Sequence, residues 1–216
     1  MAFYIFPRAV SKQNCESYLK YCLRDANFED ATTVKDGHND ILTDEEMESE
    51  NFDEIVRNRQ EKVDELRKTQ VHFINDKENL LNEVVWGFIR EANARFFNYK
   101  LDWFQAIQFA KYEVNGHYSW HQDATQNPDV KDSRKLSLTL SLSDRKDYEG
   151  GLLEFFNGGK PLCAKFDNDE LRDVSEEVKE QGTVIVFDSS DWHRVTPVTK
   201  GVRYSLVCWT VGPRFV

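Results

Sequence analysis

From Gly116 to Thr125 the chain reads GHYSWHQDAT, with two histidines, an aspartate, a tyrosine and a tryptophan inside ten positions. His121 and Asp123 are two residues apart, and on a strand such side chains point to the same face. One short extended segment can therefore present an imidazole and a carboxylate to a single ion. Two ligands do not hold a metal, so a third has to come from elsewhere. The candidate is His193 in FDSSDWHRVTPV, which follows the apolar sequence TVIVF. Two histidines and one carboxylate fill one face of an octahedron and leave three positions open. That suits a non-haem Fe(II) able to take a chelating cosubstrate and dioxygen side by side. A lone HxD is common in surface turns, and with five histidines in the chain a third partner is cheap, so the pattern needs a further element.

Arg203 is that element. It lies ten residues after His193 in GVRYSLVCW, at the entry to an apolar strand. A cation there is costly unless paired, and a guanidinium fork binds a carboxylate bidentately. Ser205, two residues on, shares the face and can add a hydroxyl. A 2-oxo acid that chelates the metal and carries a distal carboxylate would bridge the two groups.

The supporting elements change character along the chain. With 216 residues the length fits one domain able to bury a sizeable core. The net charge of −10 argues against nucleic acid or an anionic membrane as partner. Cys15, Cys22, Cys163 and Cys208 form no CxxC pair and read as buried thiols of a reducing compartment. No apolar run approaches the roughly 18 residues of a membrane span, and MAFYIFPRAV lacks the basic start of a signal peptide. The expectation is a soluble, cytoplasmic protein; nothing fixes its oligomeric state.

Residues 1–100 read as mainly helical support. Ser11 is a candidate N-cap for VSKQNCESYLKYCLRD, and Thr43 with Glu46 forms a capping box for a charged helix over about 44–68. TQVHFI is a short strand candidate. NDKENLLNEVVWGFIREANARFF is amphipathic, with Leu80, Leu81, Val84, Val85, Phe88 and Ile89 on its apolar side. Residues 101–216 change period. LSLTLSLS alternates strictly, Leu136, Leu138, Leu140 and Leu142 on one face and Ser137, Thr139, Ser141 and Ser143 on the other. WFQAIQFAKYEV, GGLLEFF, TVIVF and RYSLVCWTV supply further strands. Helices followed by about eight short strands predict an α+β fold, a single domain over 1–216 in which a closed or two-sheet β core is buttressed by helices. The Ser and Thr face could line a cavity.

The segments YEVNGHYSWHQD, RKLSLTLSLS, YEGGLLEFF and GTVIVFDSSDWHRVTPVTKGVRYSLVCW resemble the iron(II)- and 2-oxoglutarate-dependent dioxygenases, in the prolyl 4-hydroxylase-like, PKHD-type branch of phage and bacterial proteins. The resemblance covers about residues 102–211, and order, spacing and flanking residues all agree. It implies a double-stranded β-helix, or jelly roll. It implies that His121, Asp123 and His193 bind Fe(II) and that Arg203 holds the distal carboxylate of 2-oxoglutarate, with Ser205 and Ser141 as secondary contacts. Tyr112 would line the cosubstrate pocket and Tyr118 would face the substrate. Dioxygen is the second cosubstrate, and ascorbate is compatible as a reductant.

Other residues read as structural. Trp120 and Trp209 are expected in the core, His117 at the surface, His38 and His72 as structural, and Gly150 with Gly151 in a turn or bulge. Arg134 either caps the barrel or approaches substrate. The loops 124–133 and 143–149 are lid candidates. Three functions compete: hydroxylation of a protein or peptide residue such as proline, hydroxylation of a small molecule or free amino acid, and a silent binding protein. A Zn or Mn hydrolase or cupin on the same ligands is disfavoured by the distal Arg and by the lack of an evident general base.

Overall fold

The computed structural model describes residues 3–31, 51, 65–74, 80–124, 131–156, 163–165 and 171–214. In chain order the elements are β1 (Phe3–Phe6), α1 (Lys12–Arg24), β2 (Glu29–Asp30), β3 (Arg67–Lys68), β4 (Gln70–Phe73), α2 (Leu80–Ala92) and a π turn at Asn93–Phe97. There follow β5 (Trp103–Phe104), β6 (Gln108–Tyr112), β7 (His117–His121), β8 (Asp132–Ser141), β9 (Tyr148–Gly150) and β10 (Leu153–Phe155). The last are β11 (Cys163–Lys165), β12 (Leu171–Asp173), a 3-10 turn at Glu177–Lys179, β13 (Val184–Asp188), β14 (His193–Val195), β15 (Val198–Gly201) and β16 (Arg203–Pro213).

The alternating segment becomes β8, and its periodicity sets the architecture. It lies between β13 and β16 in a large sheet of order β1-β13-β8-β16-β6-β4-β2, with β5 also paired to β16. Leu136, Leu138, Leu140 and Leu142 are at most 1% exposed and pack outward against the helices. Each such burial is worth about 1.5–3 kcal/mol. α1 begins at Ser11, whose Oγ accepts from the Asn14 N–H. Along α2 the buried stripe is Leu81, Val85, Ile89 and Ala92, an i, i+4 row. Leu80, expected on that stripe, is instead 42% exposed, because the row that meets the sheet is turned one residue on.

The opposite face of the large sheet looks inward. A smaller sheet, β10-β14-β7-β3, covers it: Phe155 packs with Ile185 and Phe187, and Val195 with Ala110 and Tyr112. Two facing sheets around a partly polar interior make the expected double-stranded β-helix. Cross-strand partners share a face, so the register ranks the interior in layers. Arg203 sits opposite Tyr112, Ser205 opposite Ala110 and Ser141, Val207 opposite Gln108 and Thr139, and Trp209 opposite Ser137.

Strands β1 to β4 come from the region expected to be mainly helical and are paired into the two sheets. Arg67–Lys68, at the end of the expected charged helix, is extended and pairs with Tyr118 and His117. The Thr43 capping box, His38 and most of the 124–133 loop lie outside the described residues. Among the described residues no helix is long and apolar enough to cross a membrane, and Cys15, Cys22 and Cys208 are buried free thiols.

Candidate active site

His121 closes β7 and His193 opens β14, and the two are direct cross-strand partners. Asp123 follows at once, its N–H bonded to the carbonyl of Ser189 beyond β13. One ligand atom from each of His121, Asp123 and His193 lies within 4.8 Å of the others. His121 Nε2 is 3.8 Å from Asp123 Oδ1, and His193 Nε2 is 3.5 Å from Asp123 Oδ2. Each ring is fixed in the same way from behind. His121 Nδ1 bonds the Ser119 carbonyl at 2.7 Å and His193 Nδ1 bonds the Asp191 carbonyl at 2.9 Å. A carbonyl only accepts, so Nδ1 carries the proton and Nε2 keeps its lone pair for the shared point.

Electrostatics keeps these groups ready for a cation. Burial, and then the neighbouring His193, push His121 down to about 4, so it is neutral at physiological pH as a ligand must be. Burial alone would raise the Asp123 carboxyl. His193, His121, Arg134 and the Ser137 hydroxyl outweigh it and hold the group below its ordinary value. Two imidazoles and a carboxylate, desolvated and aimed at one point, fit a divalent metal with N/O preference such as Fe(II).

The anchor end is equally specific. Arg203 is 5% exposed. Its Nη1 donates to Ser205 Oγ at 3.3 Å and its guanidinium lies 5.2 Å from the Tyr112 ring centre. Among the described residues no carboxylate pairs with it. It lines a cleft with Thr139, Ser141, Tyr148 and Thr183, so four hydroxyl-bearing side chains besides Ser205 converge on a buried cation with no carboxylate partner among the described residues. Such a site is built to receive an anion. Gly151 makes room for it. At φ +58° a Cβ there would meet Val198 Cγ2 at 2.9 Å and Arg203 Cδ at 3.0 Å, so the turn expected at Gly150–Gly151 also shapes the anchor.

The expected site residues are thus brought to one interior, with a bulge deciding their facing. His193 pairs with His121, but Val195 pairs with Tyr118, so β7 carries an extra residue there. Tyr118 thereby joins the His121 face, ring centres 3.4 Å apart, and burial pushes its phenol up to about 12. His117 faces away and bonds the carbonyls of Asn115 and Glu65. Trp120 is not core. It is 36% exposed, because among the described residues the outer face of the small sheet carries only Phe156 and Arg194 against it. Trp209 is buried as expected.

Three further residues belong to the site. Ser137 Oγ donates to Asp123 Oδ2 at 2.7 Å and lies 2.9 Å from Ser189 Oγ; its parity with Ser141 was the available signal. Arg134 stacks on Trp209 at 3.9 Å and places Nη1 4.0 Å from Asp123 Oδ1, so it faces the triad. Arg67 lies 4.5 Å over the Tyr118 ring, and nothing in its local sequence announced this.

Comparison with known proteins bears on the same span. The 2OG-Fe(II) oxygenase superfamily profile matches residues 107–211. A PKHD-type hydroxylase of Synechococcus sp. (strain CC9902) is 38% identical over 106 residues, 48% of this chain and 40% of that protein. One of Alteromonas mediterranea is 34% identical over 106 residues, 47% of this chain and 41% of its own length. The match therefore spans about two fifths of these relatives. Among solved structures, a Pseudomonas putida prolyl-4-hydroxylase superposes with a TM-score of 0.57 at 17% identity, covering 99% of this chain and 93% of that one. A Trichoplax adhaerens prolyl hydroxylase in complex with a hypoxia inducible factor peptide fragment gives 0.60 at 16% identity, covering 96% and 82%. At these identities the structural likeness speaks to the fold.

Proposed function

We propose that the chain is a member of the 2OG-Fe(II) oxygenase superfamily, in its PKHD-type branch, and that it hydroxylates a C–H bond of a protein or peptide residue, proline foremost. In this reading residues 1–216 act as one domain, since β1 to β4 are paired into the sheets of the core. The observation that carries the proposal is the pairing of the His121–Asp123–His193 cluster with an unpaired buried Arg203 in the same interior.

Each residue then has a task that follows from its position. His121 and His193 offer Nε2, and Asp123 a carboxylate oxygen, to Fe(II). Ser137 holds the second Asp123 oxygen, which fixes the carboxylate's rotation. Arg203, with Ser205 and Ser141, binds the distal carboxylate of 2-oxoglutarate and so sets which end of the cosubstrate points at the metal. Tyr112 flanks the guanidinium and keeps it from folding away. Bound Fe(II) and 2-oxoglutarate together supply the oxidising power, using dioxygen and releasing succinate and CO2. Tyr118 and Trp209 keep the reacting space apolar and dry. Prolyl hydroxylases among the structural neighbours, one of them holding a peptide, support a peptide substrate.

The test is succinate release from Fe(II)-loaded protein with 2-oxoglutarate, with and without prolyl peptides, together with mass analysis of the peptide for one added oxygen. Succinate formation stimulated by a peptide is the expected result. A metal-loaded protein that neither binds 2-oxoglutarate nor forms succinate sinks the enzyme reading, and undiminished 2-oxoglutarate binding by Arg203→Ala sinks that anchor.

A further inference from the structure

Two more arginines converge on the triad. Arg67 is 9% exposed. Its Nε is buried with no hydrogen-bond partner, and its Nη2 makes a single contact at the distance limit, 3.5 Å to Gln108 Oε1. No carboxylate of a described residue pairs with it. Its guanidinium lies over Tyr118, whose ring stacks on the ligand His121. Arg134 approaches from β8. It is held by Gln105 Oε1 at 2.8 Å and by the Trp209 face, with its Nη1 near Asp123.

A guanidinium stacked on a ring keeps its N–H donors free, because they lie in its own plane. A buried Arg with an orphaned Nε is costly unless an anion completes it. The chain has 38 acidic residues, yet none of the described ones pairs with Arg67, and Arg134 meets only the Asp123 carboxylate, at 4.0 Å. Arg203 and Arg67 stand at different levels of the interior: Arg203 sits in the layer of Tyr112, whereas Arg67 reaches the layer of Gln108. The interior therefore has two cationic poles, one at the Arg203 end and one at the metal ligands themselves.

We propose that Arg67, with Arg134, forms a substrate subsite for a carboxylate close to the carbon that is hydroxylated. The carboxylate is either an acidic side chain beside the target residue of a peptide or the main-chain carboxylate of a free amino acid. The inference rests on the proposed function for the direction of the chemistry, but charge recognition can be read by binding alone.

The experiment uses the whole 216-residue chain loaded with Mn(II) and 2-oxoglutarate, which is competent to bind but not to turn over. Calorimetry compares two pairs of probes: a short prolyl-aspartyl peptide amide against its asparaginyl twin, and free proline against prolinamide. The acidic member of at least one pair is expected to bind roughly tenfold more tightly than its neutral twin, and the pair that discriminates identifies the source of the carboxylate. Arg67→Gln is expected to abolish the preference, Arg67→Lys to restore part of it, and neither to change 2-oxoglutarate affinity. Equal affinity within both pairs, no binding of any probe, or a preference that survives Arg67→Gln overturns the proposal. So does a loss of 2-oxoglutarate affinity in Arg67→Gln as large as in Arg203→Gln, which would make Arg67 a cosubstrate contact. If Arg67→Gln does not fold, Arg67→Lys decides, with an undiminished preference overturning the proposal. A protein that binds an acidic probe but not 2-oxoglutarate overturns the dioxygenase reading and leaves the subsite standing.

Discussion

Ser137 Oγ donates to Asp123 Oδ2 at 2.7 Å, with the serine fully buried and the carboxylate nearly so. This bond ties the carboxylate to the central strand β8, while the two histidines are tied to their own backbones. Removing it leaves Asp123 free to rotate away from the shared point.

Ser137→Ala is therefore expected to lower metal affinity by roughly tenfold while leaving the fold intact. Equilibrium dialysis against Mn(II), read beside far-UV circular dichroism, checks it. Unchanged affinity would show that the loop after β13 alone fixes the carboxylate.

Gly151 should behave as part of the anchor despite having no side chain. An alanine there carries a strained φ and a Cβ 3.0 Å from Arg203 Cδ. Gly151→Ala is expected to weaken 2-oxoglutarate binding by roughly tenfold with metal affinity unchanged. Equal losses of both would instead indicate a general collapse of the interior.

The two faces of α2 separate Leu80 from Leu81. Leu81 is fully buried and Leu80 is 42% exposed. Leu81→Ala is expected to cost about 2–5 kcal/mol in urea unfolding, and Leu80→Ala under about 1 kcal/mol. Similar costs would mean that the helix is rotated from the orientation described.

Metal-free protein should lose stability on mild acidification. His121 is held at about 4 when folded, against an ordinary value of 6.5, so between these values the unfolded chain binds more protons. Stability then falls as pH drops through this window and is fully present above 6.5. Urea unfolding in the presence of a chelator at pH 7 and pH 5 is expected to differ by about 2 kcal/mol, with the difference suppressed in His121→Asn. A flat profile would show that the imidazole is more hydrated than its surroundings suggest.

The sequence by itself determined which side chains share a face. The two-residue spacing of His121 and Asp123, the strict alternation of β8 and the cation placed at the head of an apolar strand are local facts, and each dictates a facing through the period of two. Histidine, carboxylate and arginine types then restrict what the interior can hold. Ser141 and Ser205 were legible in the same way, as hydroxyls on the polar side of strands whose other side is leucine or cysteine.

Only the tertiary structure decided what depends on partners distant in the chain. The bulge in β7 turns Tyr118 rather than His117 toward His121, because β14 is one residue shorter over that stretch. Trp120 lies on a sheet face that no thick layer of described residues covers, which no periodicity can report. Leu80 and Leu81 are equivalent until a sheet is laid against one of them. Arg67 lies in a charged segment that reads as solvated helix. Pairing with β7 extends it and carries its guanidinium over Tyr118, where burial without a counter-charge among the described residues turns an ordinary surface residue type into a candidate determinant of specificity.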